Sequence, residues 1–425
     1  MLAIEPAPNK PKWRDWISKG LIFVLSLSLF MEGGARVALS IHPLRRRIVG
    51  YDNSSYRLQW IKIHQEHGRE WNGPHAIYHP TRGWTLKPAI TDMRVFDGTI
   101  LNSNSKGVRG KTEYEYQRTA GKHRIVVLGD SFTFGAEVPD EETYSYHLAS
   151  ALPNTEVLNL GVQGYGHDQM LLYLKEEGVK YRPDVVMLGF TYVDVYRNIW
   201  SFYAYAKPKF ELTSGGLRLT NVPVPTPDRV LAREPYRSKA LDLLVILRAK
   251  LRWNLGENEA EARNLTRALL DEIIATTRSI GATPVFVYLP VGEEIQPFRA
   301  QYLAYSPSVE EREQFLRDYC QNRGIPCVLL GPRFREEAKR GVHLLPPQGL
   351  FGHWTPEAHR IAAQEIKDFL VKDNLIQISS TPDAGVRYHV GRARHQSGSR
   401  WTPRPLSMAK PSPARRGGGV DDAGD

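Results

Sequence analysis

Cysteine is nearly absent from this chain, with two in 425 residues. That excludes a disulfide-stapled scaffold and a zinc ribbon, both of which need sets of closely spaced thiols. Long apolar runs are scarce too, and a mean hydropathy of −0.40 excludes a polytopic membrane protein. The centre of the chain also lacks an excess of charge of either sign. The net charge is +10, but residues 1–50 carry eight basic and three acidic side chains, and residues 376–425 carry eight and four. That leaves residues 51–375 near +1. The basicity belongs to the ends, neither of which carries the signature of a nucleic-acid-binding module. What is present, 41% hydrophobic and 24% charged residues, excludes wholesale disorder. The length suits one catalytic-size domain with additions.

The one notable apolar run, residues 20–31, follows a basic stretch with Trp13 and Trp16, where interfacial aromatics would sit. Twelve residues fall short of the roughly 20 needed to cross a bilayer. The segment reaches that length, residues 13–41, if Glu32 and Arg36 pair at i, i+4 near one interface. A cleaved signal peptide is the rival reading, but no clean small-x-small site follows Met31. The expectation is a single-pass anchor in the inner membrane with the bulk of the chain exported to the periplasm, secretion after cleavage being the alternative. Residues 1–50 form the stub and anchor, and residues 376–425, rich in Pro, Gly, Ser and Arg, read as a disordered tail.

Residues 51–120 are mixed, an N-terminal extension of the catalytic domain. They hold His64, His67, His75 and His79 at spacings a metal site could use, but no cysteine or carboxylate pattern completes a ligand set. No metal and no cofactor is expected. From residue 120 the rhythm becomes strand–helix–strand. Apolar strands are predicted at 124–128, 156–160, 184–190, 283–288 and 326–330. Helices are predicted at about 142–152, 167–181, 260–280, 309–323 and 355–372. Near-continuous apolar strands alternating with helices predict an α/β fold, a three-layer flavodoxin-like α/β/α sandwich on a five-stranded parallel sheet over residues 121–375. An insertion at 195–258 carries a hairpin around Gly215-Gly216 and a helix at about 238–252.

Ligands in open parallel sheets bind beyond the carboxyl ends of the strands. After the first strand comes Gly129-Asp130-Ser131-Phe132. A serine on a strand-to-helix turn exposes its hydroxyl, and its own N–H lies near a helix N-terminus, good geometry for a nucleophile. A serine there also suits a plain helix cap. After the second strand comes Gly161-Val-Gln-Gly-Tyr-Gly166, read as a tight turn offering a bare N–H and not as a dinucleotide loop. After the last strand come His353 and then Thr355 and Pro356, a cap and first-turn proline. His353 is placed as a general base, and His359, inside the helix, as a packing residue.

This constellation resembles the SGNH/GDSL hydrolase family, and specifically its membrane-anchored bacterial branch. The likeness rests on residues 124–135 (RIVVLGDSFTFG), on Asn159 to Gly161, on residues 353–362 (HWTPEAHRIA), on residues 102–110 (NSNSKGVRG) and on the insertion hairpin. The resemblance implies Ser131 as nucleophile, His353 as base, and Asp130 as support of the turn. It implies an oxyanion hole from the N–H groups of Ser131 and Gly161 plus an Asn side chain after the third strand. The implied chemistry is attack on an ester carbonyl, an acyl-enzyme, and transfer to water or a sugar hydroxyl, with an acylated carbohydrate at the cell envelope as substrate.

Two positions depart from that pattern. Val193-Asp194 stands where the family has Asn-Asp, leaving Asn198, a helical turn onward, as the available substitute donor. The family's Asp just before the histidine is also missing, so His353 needs another orienter, such as a backbone carbonyl, Asp194 or a carboxylate from elsewhere. These departures motivate an alternative, a catalytically impaired SGNH-fold domain that binds glycan or an envelope assembly partner. Cys320 and Cys327 are either a small-loop disulfide or two thiols.

Overall fold

The structure, a computed structural model, describes residues 12–41, 44, 45, 48, 50–67, 73–95, 98–296, 307–346 and 352–376. The tail expected over 376–425 lies outside the described residues apart from Ile376.

In chain order, the first elements are helices α1 (Lys12–Ser40) and α2 (Asn53–His67) and two small hairpins. The hairpins are β1 (Ala76–His79) with β2 (Gly83–Leu86), and β3 (Met93–Val95) with β4 (Thr99–Leu101). The core begins with β5 (His123–Gly129), α3 (Ser131–Phe134), α4 (Tyr144–Ala151), β6 (Thr155–Gly161), α5 (His167–Glu176), β7 (Val185–Phe190) and α6 (Val193–Arg197). The insertion follows with hairpin β8 (Lys209–Thr213) and β9 (Gly216–Thr220), then α7 (Pro227–Arg233) and α8 (Lys239–Asn254). The core resumes with α9 (Glu257–Ser279), β10 (Thr283–Tyr288), α10 (Gly292–Ile295), α11 (Val309–Arg323), β11 (Cys327–Leu329), α12 (Gly331–Lys339) and α13 (Pro356–Lys372).

The five predicted strands pair in the order β11-β10-β7-β5-β6, all parallel. Each is apolar because both faces of the sheet are covered. One face packs into a core with Leu128, Leu160, Leu188 and Phe286, the other into a core with Val127, Met187, Val287 and Trp354. This is the flavodoxin-like three-layer sandwich. The chain leaves β5 toward β6 and then returns across it to β7, so the ends of β5 and β7 flank the reversal of strand order where such sheets open a crevice. The sequence missed α2, α6, α7, α10, α12 and the two small hairpins, whose short or polar segments carry weak periodicity.

The N-terminal segment is one helix. Its stretch Asp15–Ser40 is long and apolar enough to cross a membrane, its most apolar 18 residues having a mean hydropathy of 1.6 and being almost wholly unburied. Trp13, Trp16 and the apolar residues from Leu21 to Met31 are exposed, unlike a core helix. Arg36 and Glu32 form the expected i, i+4 pair at 2.8 Å.

The insertion is tied to the core by a buried ion pair. The Lys207 ammonium meets the Asp168 carboxylate at the start of α5 and also donates to the carbonyls of Arg197, Trp200 and Pro208. Burial pulls the lysine down and pushes the aspartate up. Full hydrogen bonding is what makes such a pair tolerable in a low-dielectric interior.

Candidate active site

The turn after β5 depends on close approach. A Cβ on Gly129 would lie 2.0 Å from Thr133 Oγ1, and one on Gly161, its register partner in β6, 2.4 Å from the Phe134 nitrogen. With both side chains absent, the short helix α3 folds directly over the strand ends. Asp130 caps it, its Oδ1 accepting the Phe132 N–H at 2.9 Å. The Asp130 Oδ2 accepts from Arg197 at 3.0 Å and from Thr191 beyond β7 at 3.4 Å, which pins the turn to the neighbouring strand.

Ser131 heads α3 and meets His353, which stands just before α13. The distance from Ser131 Oγ to His353 Nε2 is 2.9 Å. As predicted, Thr355 caps α13, accepting the Ala358 N–H, with Pro356 in the first turn. The His353 ring stands edge-on to Phe132, with centroids 5.2 Å apart. Ser131 and His353 are 7% and 8% exposed, nearly desolvated yet open at one side.

The other ring nitrogen, Nδ1, lies 3.0 Å from Glu137 Oε1. With Nδ1–H donating to that carboxylate, Nε2 is left as the acceptor for the Ser131 O–H. Glu137 has φ +70, a left-handed conformation unusual for a side chain with a Cβ and held only where surroundings enforce it. The enforcer is Arg109. Its guanidinium donates to the carbonyls of Phe134, Gly135 (2.7 Å) and Val138 (2.6 Å), bracketing Glu137 on both sides. Its Nε pairs with Asp140 Oδ1 at 3.0 Å, and Asn102 donates to Asp140 Oδ2 through N (3.0 Å) and Nδ2 (2.8 Å). The 102–110 segment, which the sequence offered only as part of a resemblance, is therefore a clamp on the loop that carries Glu137.

Three expectations are corrected. Asp194 does not face His353. Its Oδ1 pairs with Arg197 one turn along α6, on the guanidinium that also holds Asp130, and burial, followed by the Asp130 charge, pushes its carboxyl well up. Asn198 is fully buried and engaged. Its Nδ2 contacts His167 Nδ1 (3.1 Å) and Thr266 Oγ1 (2.7 Å), and its Oδ1 accepts the Asp168 N–H (3.4 Å), so it has no donor to offer. Gly161 does not present a bare N–H, because that group donates to Asn159 Oδ1 at 2.9 Å. The Asn159 Nδ2 in turn donates to the Thr133 carbonyl and to Ser145 Oγ, both at 2.8 Å, binding β6 to α3. Beyond β6, Gln163 and Gly164 have N–H groups with no hydrogen bond among the described residues, and Gly164 has φ +75. Glu137, Arg109 and Asn159 are the residues that sequence reasoning did not place. An acid six positions after the serine was the available signal for Glu137.

His75 and His79 of the extension take separate partners. His75 Nε2 lies 3.0 Å from Gln163 Oε1, and His79 Nδ1 accepts the N–H groups of Thr81 and Arg82. Among the described residues no three His, Cys, Asp or Glu side chains group as metal ligands. Cys320 and Cys327 stand as free thiols, and the hydrogen bond to Cys327, followed by burial, pushes the Cys320 thiol up.

His359, as expected, packs. Its Nδ1 accepts the Tyr144 N–H at 3.2 Å, and burial pulls it down to about 3, as it does His167 inside α5. In the unfolded chain each would take up a proton near 6.5, and in the folded one not until about 3. The stability of the neutral buried rings is therefore complete above pH 6.5 and is lost as pH falls through that window. Urea unfolding compared at pH 7 and pH 5 should show a loss on the order of 2 kcal/mol for each of the two histidines.

The family model for GDSL-like lipases and acylhydrolases matches residues 127–361, more than half of the chain, and spans Ser131, Glu137 and His353. No curated protein matches the chain significantly. Similar solved structures include a member of the lipolytic protein G-D-S-L family from Veillonella parvula DSM 2008, at 12% identity, covering 58% of this chain and 97% of that one, with a TM-score of 0.36. A catalytic mutant of Axe2, an acetylxylan esterase from Geobacillus stearothermophilus, is similar at 14% identity, 60% and 97% coverage and a TM-score of 0.35. A two-domain esterase active on acetylated mannans is similar at 13% identity, 60% and 50% coverage and a TM-score of 0.34. On the match over residues 127–361, the chain belongs to the GDSL-like lipase/acylhydrolase family, hydrolases that act on esters.

Proposed function

We propose that this protein is a serine esterase or O-acyltransferase that works through an acyl-enzyme on Ser131, anchored to the bacterial inner membrane by α1 with the catalytic domain on the periplasmic side. The observation that carries the chemistry is the chain of contacts Ser131 Oγ–His353 Nε2 at 2.9 Å and His353 Nδ1–Glu137 Oε1 at 3.0 Å. Nucleophile and base are in hydrogen-bond reach and the base is oriented by a third group, the pattern that activates a serine hydroxyl.

Ser131 Oγ attacks the ester carbonyl carbon while His353 Nε2 takes its proton. The Glu137 carboxylate holds the ring and stabilises the imidazolium that forms. The oxyanion is received by the Ser131 N–H at the head of α3 and by the free N–H groups of the Gln163–Gly164 turn, in place of Gly161 and Asn198. Collapse of the tetrahedral intermediate breaks the bond to the alcohol oxygen, which takes the proton from His353. Water or a sugar hydroxyl then gives its proton to His353 and attacks the acyl carbon, and collapse of this second intermediate breaks the bond to Ser131 Oγ, which takes the proton back from His353. The substrate class is an acylated carbohydrate of the envelope. A fluorophosphonate should label the full-length protein at Ser131, detected by peptide mass, and hydrolysis of acetylated oligosaccharides should depend on that residue. Absence of both would leave the reading of a glycan-binding domain without turnover. That alternative now rests on Val193 in place of the asparagine donor, since Glu137 stands where the missing orienter was needed.

Arg109 is a positioning residue in this scheme. Arg109→Lys keeps the charge and loses the fork that holds three carbonyls. It should lower kcat by about 10-fold to 100-fold with KM little changed, because a misplaced orienter weakens the transition state more than ground-state binding. A fall in thermal stability without this kcat-specific loss would count against the role.

A further inference from the structure

Helix α8 leaves the domain with an uncovered apolar stripe. Its inward side buries Asp242, Ile246 and Trp253. Its outward side carries Leu241, Leu244, Val245, Leu251 and Leu255, each between 46% and 63% exposed. Their spacing of three, one, six and four residues puts them on one face. Tyr236, just ahead of the helix, is 91% exposed. Between residues 227 and 255 there are seven basic and three acidic side chains. Arg248, exposed, sits within the apolar stripe itself. An apolar face flanked by an aromatic and by basic side chains is the composition of helices that lie in a membrane interface, with aliphatic residues toward the acyl chains and guanidinium groups at the phosphates.

The junction with α1 fixes where this helix would meet a bilayer. The Glu32 carboxylate caps the start of α8, accepting the N–H groups of Lys239 (3.0 Å) and Ala240 (3.1 Å) and the Ser238 hydroxyl (2.8 Å). Ala35 and Leu39 of α1 are buried, whereas residues 15–31 of the same helix are exposed. The apolar run, residues 20–31, rises about 1.5 Å per residue, roughly 18 Å in all, and the exposed turn ahead of it carries Trp16 and Lys19 toward the far interface. The apolar run therefore stops at the residue before the one that holds α8. The helix with the uncovered leucines begins at the depth where the bilayer would end.

We propose that α8 lies in the headgroup–acyl boundary beside α1, with its leucine face against lipid, so that the domain is held to the membrane at two points and in one orientation. This rests on the reading of α1 as an anchor. The test uses the full-length protein in liposomes of phosphatidylcholine and phosphatidylglycerol. Spin labels are placed singly through L244C, L251C, L27C in α1 and T213C in the hairpin, in a Cys320→Ala, Cys327→Ala background with unchanged circular dichroism. Collision with oxygen against a water-soluble nickel chelate reads the depth of each label. Labels at 244 and 251 should favour oxygen several-fold more than the label at 213, and the label at 27 should lie deeper still. If 27 is in lipid while 244 and 251 are as open to nickel as 213, the proposal is overturned and the anchor stands. If 27 is also in water, both fall. If 244 and 251 are screened from both reagents and the protein sediments as a dimer, a second copy covers the face and the proposal is overturned.

Discussion

Ser131→Ala should reduce kcat/KM toward an activated acetyl ester by about 10⁵-fold in the full-length protein, and abolish labelling by a fluorophosphonate. The loss is this large because, in the proposed mechanism, the Ser131 hydroxyl forms the acyl bond and hands its proton to His353 Nε2 at 2.9 Å. Stability should change by about 1 kcal/mol or less, the worth of one hydrogen bond in a site whose turn is built by Gly129, Asp130 and Gly161. His353→Ala should cost as much as the serine change, and the two together no more than either, because nucleophile and base act as a unit. Equal rates for wild type and Ser131→Ala would sink the acyl-enzyme mechanism.

Glu137→Gln should lower kcat by about 10³-fold to 10⁴-fold, since an amide in place of the carboxylate both favours the wrong histidine tautomer and withdraws the charge that steadies the imidazolium. Asp194→Asn is the control. Its carboxyl is buried, faces Arg197, and is already pushed up by burial and by Asp130, so the amide should change kcat by less than about 10-fold. Steady-state kinetics of the pair separate the two acids. A large loss from Asp194→Asn with little from Glu137→Gln would reverse the assignment.

The strands and the Ser131 and His353 turns were legible because their causes are local. A strand covered on both faces is apolar residue by residue, and a glycine, an acid and a serine at a strand end are what a strand-to-helix turn with an exposed hydroxyl requires. The orienter was not legible for an opposite reason. Glu137 reaches His353 across 216 positions of sequence, from a left-handed backbone that Arg109 imposes from yet another segment. Asp194 is one of the substitutes the sequence offers, but the short helix α6 turns its carboxylate toward Arg197. The family resemblance implies Gly161 as an oxyanion donor, but its N–H is taken by Asn159 Oδ1. The glycine is needed instead for its missing Cβ, which lets α3 approach.

By itself, the sequence determined the layer architecture, the two turns that carry Ser131 and His353, and the confinement of excess charge to the two ends, because periodicity, turn chemistry and composition act over a few neighbouring residues. Only the tertiary structure decided which acid holds His353, which side chain caps α8, and which helix face is left uncovered beside α1. Those outcomes depend on which groups the folded backbone brings within 3 Å of one another, and contact between distant segments leaves no local pattern to read.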